Sequence, residues 1–167
     1  HSMMDTEIML IPESDGIDLA SASSNKALGG TVTASWSPSS FDHADDANDG
    51  NLNTNWSNYT NFNSDDWLQL ELPEAIRVGK ISIINKVGPN AGMHSFDLQY
   101  MHNDEWVTLN TYSSTRQGRN REVIEIDVPN ITASKWRITN FELYPGHNCV
   151  GIYEFQVNAP IIKSNYN

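Results

Sequence analysis

The sequence predicts an all-β protein, a two-sheet antiparallel sandwich of about eight short strands. Three observations predict it. Apolar residues recur with a period of two, turn formers separate the alternating runs, and no window of a dozen residues sustains an amphipathic helix. Sheets with one apolar face each must bury that face against another layer, and a second sheet is the simplest partner.

The elements follow in chain order. Residues 31–36 are rich in β-branched and aromatic types, which suit a pleated surface. Trp67-Leu68-Gln69-Leu70-Glu71-Leu72 alternates strictly, with three leucines on one face. Residues 79–86 form the next candidate, and Phe96-Asp97-Leu98-Gln99-Tyr100 alternates again. Residues 106–109, Ile124-Glu125-Ile126-Asp127-Val128, residues 135–141 and Tyr153-Glu154-Phe155-Gln156-Val157 complete the set. Turn formers lie between them: Pro38-Ser39-Ser40, Asp49-Gly50-Asn51, Gly88-Pro89-Asn90, Asn103-Asp104, Gln117-Gly118, Pro129-Asn130 and Pro145-Gly146. The tryptophans Trp36, Trp56, Trp67, Trp106 and Trp136 sit in or beside strands and read as core.

The 167 residues suit a single domain that needs no disulfide to close its core. Residues 1–16 read as an expression remnant (His1-Ser2-Met3) followed by a linker, 17–158 as the domain, and 159–167 as a second linker. Lys and Arg number 10 against 21 Asp and Glu, a net charge of −11. That balance argues against nucleic acid and anionic membranes, which reward dense positive charge, and against polyanionic glycans. No stretch approaches 18 apolar residues, the length a membrane-spanning helix requires. With one cysteine, Cys149, neither an intrachain disulfide nor a cysteine-based zinc cluster can form.

The densest polar stretch runs from Asp42 to Trp56. Short oxygen-bearing side chains around a turn glycine suit a hard cation, since calcium takes six to eight oxygen ligands. An EF-hand does not fit: counted from Asp45, position three is Ala47 and position twelve is Trp56, where a bidentate Glu is required. A solvated loop of Asx turns is the alternative. Glu154 bears on the choice. Tyr153, Phe155 and Val157 alternate as a core face, so Glu154 points the other way and needs a partner.

The sequence holds no His-Glu-x-x-His, no Gly-x-Ser-x-Gly, no phosphate-cradling glycine loop and no dinucleotide fingerprint. The residues read as a non-catalytic binding domain. His43, His94, His102 and His147 read as surface or capping histidines, and Arg116, Arg119 and Arg121 as a solvated turn.

The succession of Asn48-Asp49-Gly50-Asn51-Leu52-Asn53-Thr54-Asn55-Trp56, Trp67 to Leu72, Phe96 to Tyr100, Glu105-Trp106-Val107, Lys135-Trp136-Arg137-Ile138 and Gly151 to Val157 resembles the coagulation-factor type C, or discoidin, domain. Within that group it is most similar to bacterial family-32 carbohydrate-binding modules. The resemblance covers about residues 18–158 and implies a galactose-binding-like jelly roll. It also implies a structural Ca2+ held by the carbonyls of Asp46, Asn51 and Tyr153, the carboxylates of Asp49 and Glu154, and the Thr54 hydroxyl and carbonyl. The ligand implied is a neutral carbohydrate, gripped by loops at one apex. Candidate contacts are Tyr59, Phe62 and Asp66, then Asn85 and Lys86, then Tyr144, His147 and Asn148. Galactose binders of this family often carry a His where this chain has Asp65-Asp66, and an Arg where it has Lys86, so the sugar stays open. The resemblance further implies a secreted or cell-surface protein whose parent chain holds a catalytic domain. An adhesion or protein-interaction domain is the alternative.

Overall fold

The leucines of the strictest alternation are buried as expected: Leu68, Leu70 and Leu72 face inward while Glu71 is exposed. The computed structural model describes residues 8–10, 25–115, 119–159 and 161–163. Its strands are β1 (Ile8–Leu10), β2 (Thr31–Ala34), β3 (Trp56–Ser57), β4 (Trp67–Asn85), β5 (Met93–His102), β6 (Glu105–Ser113), β7 (Glu122–Leu143), β8 (Gly151–Val157) and β9 (Ile161–Lys163). Two 3-10 turns, Lys26–Gly29 and Ala44–Ala47, flank β2.

Strands β4 and β7 each absorb two of the expected strands. The β4–β7 ladder shifts register between Glu71 and Ile76 and again between Val78 and Lys80. Pro129 and Asn130, expected to reverse the chain, lie inside β7, with Asn130 at φ +52°. Proline has no N–H to give a ladder, asparagine tolerates the left-handed region, and a bulge bends a strand. The chain therefore bends there and continues.

The bends create the two layers. One contains β2, the first half of β4, the second half of β7, β5 and β6. The other contains β3, β8, the second half of β4 and the first half of β7. Between them lie Leu68, Leu70, Phe96, Leu98, Trp136 and Ile138 from one side and Ile81, Ile83, Ile124, Ile126, Phe155 and Val157 from the other. The result is the antiparallel jelly-roll sandwich the sequence predicts. Asn103 and Asp104 make the β5–β6 hairpin turn, both at positive φ, which matches the twist of the strands.

Two expectations change. The flanks read as linkers contribute β1 and β9, which pair in parallel with Ile8 opposite Ile161. The rest of residues 1–16 and the turn at Gln117-Gly118 lie outside the described residues. In β8, Ile84 faces Glu154 but Asn85 faces Ile152, so the register skips Tyr153. Phe155 and Val157 join the main core, whereas Tyr153 packs with Leu52 and Ile84 in a separate small cluster.

Candidate functional site

The acidic loop is built by short side chains that bond their own backbone. Asn48 anchors its start, donating from Nδ2 to the carbonyls of Ala27 and Gly30 at 2.9 Å each. Asp49 Oδ1 accepts the Asn51 amide (2.9 Å), and its Oδ2 accepts the Thr54 hydroxyl (2.5 Å). The Asn51 carbonyl lies 3.1 Å from the same hydroxyl oxygen. Gly50, at φ +74°, turns its amide toward β8 and donates to Glu154 Oε1 at 3.1 Å.

Arg121 braces this loop from outside, contrary to the solvated turn expected of it. Its Nε donates to the Leu52 carbonyl at 2.6 Å, a terminal nitrogen donates to Asn53 Oδ1 at 2.9 Å, and its guanidinium stacks on the Tyr153 ring at 4.3 Å. Arg116 lies outside the described residues.

Glu154 is fully buried, and among the described residues its Oε2 has no hydrogen-bond partner. Burial, reinforced by the adjacent Asp49 carboxylate, pushes its pKa up to about 10, and the Gly50 and Asp49 amides only partly oppose this. Two carboxylates thus meet with neutral oxygens from Asn51 and Thr54 close by. Asp46 sits on the preceding turn, where Oδ2 accepts the His43 amide at 3.0 Å. Burial raises its pKa, that hydrogen bond lowers it, and Asp49 and Asp45 raise it further. Among the described residues no three His, Cys, Asp or Glu side chains gather as a metal cluster. The donor set here has a different chemistry: few charges, several neutral oxygens and one buried orphan oxygen. It fits a hard divalent cation.

The three expected loops do converge at one apex. The Asn90 carbonyl accepts the amides of Asn148 (2.9 Å) and Cys149 (3.3 Å), while Gly92 donates to the Cys149 carbonyl at 3.0 Å. Asn58 ties in the remaining loop: its Oδ1 accepts the Val150 amide at 2.8 Å, and its Nδ2 donates to Asp66 Oδ2 at 2.9 Å.

Two depressions open there and share Tyr59 as a wall. One, of about 270 Å³, is lined by Phe41, Asp42, Ser57, Lys86, Asn90 and Cys149 among others. The second, about 590 Å³ and shallower, is lined by Thr60, Phe62, Leu143, His147 and Asn148. The His147 ring lies so close to Gly92 that a Cβ there would sit 2.5 Å from its Cγ.

Of the expected carbohydrate contacts, Tyr59, Phe62, Lys86, His147 and Asn148 line these depressions. Asp66, Asn85 and Tyr144 do not, and each has a structural reason. Asp66 is buried and accepts from Ser35 Oγ, Asn58 Nδ2 and the Asn63 amide, which occupies both of its oxygens. Asn85 is buried at the end of β4 and donates to the Met93 carbonyl at 3.0 Å. Tyr144 is 7% exposed, its ring against His94 at 4.7 Å. Phe41, 51% exposed on the rim, was absent from the expected set. Its signal was an isolated aromatic among Pro38, Ser39, Ser40, Asp42 and His43.

The fold and its apex define an antiparallel β-sandwich with two depressions among its apex loops. Residues 21–155 match the F5/8 type C domain model, and the chain belongs to that family. Solved structures agree in fold. The family 32 module of Clostridium perfringens NanJ, in complex with galactose, is 23% identical, with 79% of this chain and 95% of that one covered and a TM-score of 0.66. Chitosan-binding module 1 of a chitosanase/glucanase from Paenibacillus sp. IK-5 is 23% identical, covering 80% and 97%, with a TM-score of 0.64. CpGH89CBM32-5 of Clostridium perfringens, in complex with GalNAc-β-1,3-galactose, is 16% identical, covering 79% and 96%, with a TM-score of 0.67. No curated protein sequence matches the chain.

Proposed function

We propose that this domain is a non-catalytic carbohydrate-binding module. The observation that carries the reading is the pair of depressions meeting at Tyr59, a half-buried aromatic wall with polar groups on either side. A flat ring covers a sugar's C–H face at small entropy cost, while fixed donors and acceptors orient its hydroxyls. Lys86 and Asn90 supply such groups in the first depression, and Asn148 in the second. Two adjoining depressions favour a ligand of at least two sugar rings. The net charge of −11 favours a neutral one.

A calcium ion held by Asp46, Asp49, Asn51, Thr54, Tyr153 and Glu154 belongs to the same proposal. The unpartnered Glu154 oxygen beside Asp49 supports it. Bound there, the ion would supply charge compensation and cross-link the loop to β8, a structural role. We further propose a secreted or cell-surface setting and a catalytic domain in the same parent chain. The module would then raise the effective concentration of enzyme on its glycan. Single-site affinity is expected to be about millimolar to tens of micromolar.

A glycan array tests the reading, repeated with Tyr59→Ala, Phe62→Ala and Phe41→Ala. Binding to neutral glycans that weakens with Tyr59→Ala supports it. The exposed Phe41 ring favours one rival, an adhesion domain using the rim against a protein. Silence across glycans together with a tight protein partner would select that rival.

A further inference from the structure

The two halves of the proposed site touch through one side chain. Lys86 follows β4 directly and lines the first depression. Among the described residues no carboxylate lies within ion-pairing distance of it. Its partner is Asn55, whose Oδ1 accepts from Nζ at 3.1 Å. Asn55 is 4% exposed, donates from Nδ2 to the Trp56 carbonyl at 3.1 Å, and immediately follows Thr54 of the acidic loop.

A second contact reaches Lys86 from the other arm of the loop site. The Tyr153 ring lies 5.9 Å from Nζ, and Tyr153 immediately precedes Glu154. The same ring carries Arg121, which holds the Leu52 carbonyl and Asn53 Oδ1 of the acidic loop. The Lys86 stem lies over Gly151, where a Cβ would sit 2.9 Å from Lys86 Cβ and 3.0 Å from its Cδ. The position of the ammonium is therefore set by Asn55 and Tyr153, the immediate neighbours of Thr54 and Glu154.

We infer that Lys86, positioned by Asn55 and Tyr153, couples the acidic loop to the groove, so that a divalent cation and a saccharide change each other's affinity. The inference rests on the reading above and deepens it by giving the cation a regulatory role. Linkage requires reciprocity: the factor by which calcium shifts saccharide affinity equals the factor by which saccharide shifts calcium affinity. A factor of about 5 to 20 lies in the ordinary range for coupled sites.

Calcium chloride alone is the first probe, read by NMR at the Gly50 amide and the Lys86 Cε–Hε signal. The chain has five lysines, so the signal is assigned by its disappearance in Lys86→Arg. Co-migration of both signals with one midpoint in the wild-type protein supports the coupling. In Asn55→Ala, the Gly50 signal should still move while the Lys86 signal no longer follows. The second measurement is the affinity for the strongest glycan from the array, with and without calcium. It should change about fivefold or more in the wild type and less than about twofold in Asn55→Ala. If Gly50 responds while Lys86 stays still and saccharide affinity ignores calcium, the coupling is wrong and the cation reading stands. If Gly50 does not respond, both fail. The wild-type saccharide affinity with and without calcium decides the matter even where Asn55→Ala does not fold: a change below about twofold overturns the coupling whatever the Lys86 signal does.

Discussion

The amide of Gly50 donates to the carboxyl of Glu154 at 3.1 Å across 104 positions of sequence. This bond joins the acidic hairpin to the closing strand. It leaves the second Glu154 oxygen buried beside Asp49, with no donor among the described residues.

Without divalent ions, the folded protein holds a proton on Glu154 that the unfolded chain has released above about pH 4.5. Stability contributed by this group is fully present below that value and is lost as pH rises toward about 10. Melts in chelator at about pH 5, 7 and 9 should therefore fall more steeply for the wild type than for Glu154→Gln. Parallel curves would exclude this role for Glu154.

Calcium should raise the melting temperature, and Asp49→Ala should abolish that rise. A ligand at one hundred times its Kd stabilises the folded state by about 2.7 kcal/mol, a readily measured shift. An unchanged response in Asp49→Ala would remove that carboxylate from the cation site.

Asp66 should behave as a structural residue. Ser35, Asn58 and Asn63 all donate to its buried carboxylate, so Asp66→Ala strands three donors at a cost of about 2–4 kcal/mol. Denaturant unfolding measures this. Full stability with selectively lost glycan binding would return Asp66 to the ligand site.

Two buried tryptophans should respond differently to phenylalanine. Trp56 Nε1 donates to the Trp36 carbonyl at 3.0 Å, whereas Trp136 Nε1 has no partner among the described residues. Both rings are fully buried, so the cavity terms are similar and the hydrogen bond decides. Trp56→Phe should cost about 1–2 kcal/mol more than Trp136→Phe. Equal losses in denaturant titrations would contradict this.

The Cys149 thiol should react slowly at neutral pH although it adjoins the groove. Burial pushes its pKa up, and the nearby Ser57 hydroxyl and Lys86 ammonium only partly offset that. Alkylation followed by mass spectrometry should stay slow until denaturant is added. Rapid labelling of the folded protein would mean the floor of the groove opens.

What the sequence revealed followed from short-range rules. Alternation located Leu68, Leu70 and Leu72, and an acid between apolar neighbours pointed to Glu154 as turned off the core face and in need of a partner. The bends at Glu71 to Lys80 were not legible, because a bulge redirects a strand without changing its composition. The same effect moved Tyr153 off the core face that simple alternation gave it. Asp65 and Asp66 carry identical side chains, and only the packing of Ser35, Asn58 and Asn63 separates an exposed acid from a buried hub. Phe41 was missed because an aromatic in a polar loop has no periodic context to mark it.

Since β4 and β7 each run through both layers, neither sheet can be peeled away without dragging the other along. The sandwich has no seam on which to hinge. A pull at either end should load both halves together and rupture the molecule in a single event, with its loop apex rigid until then.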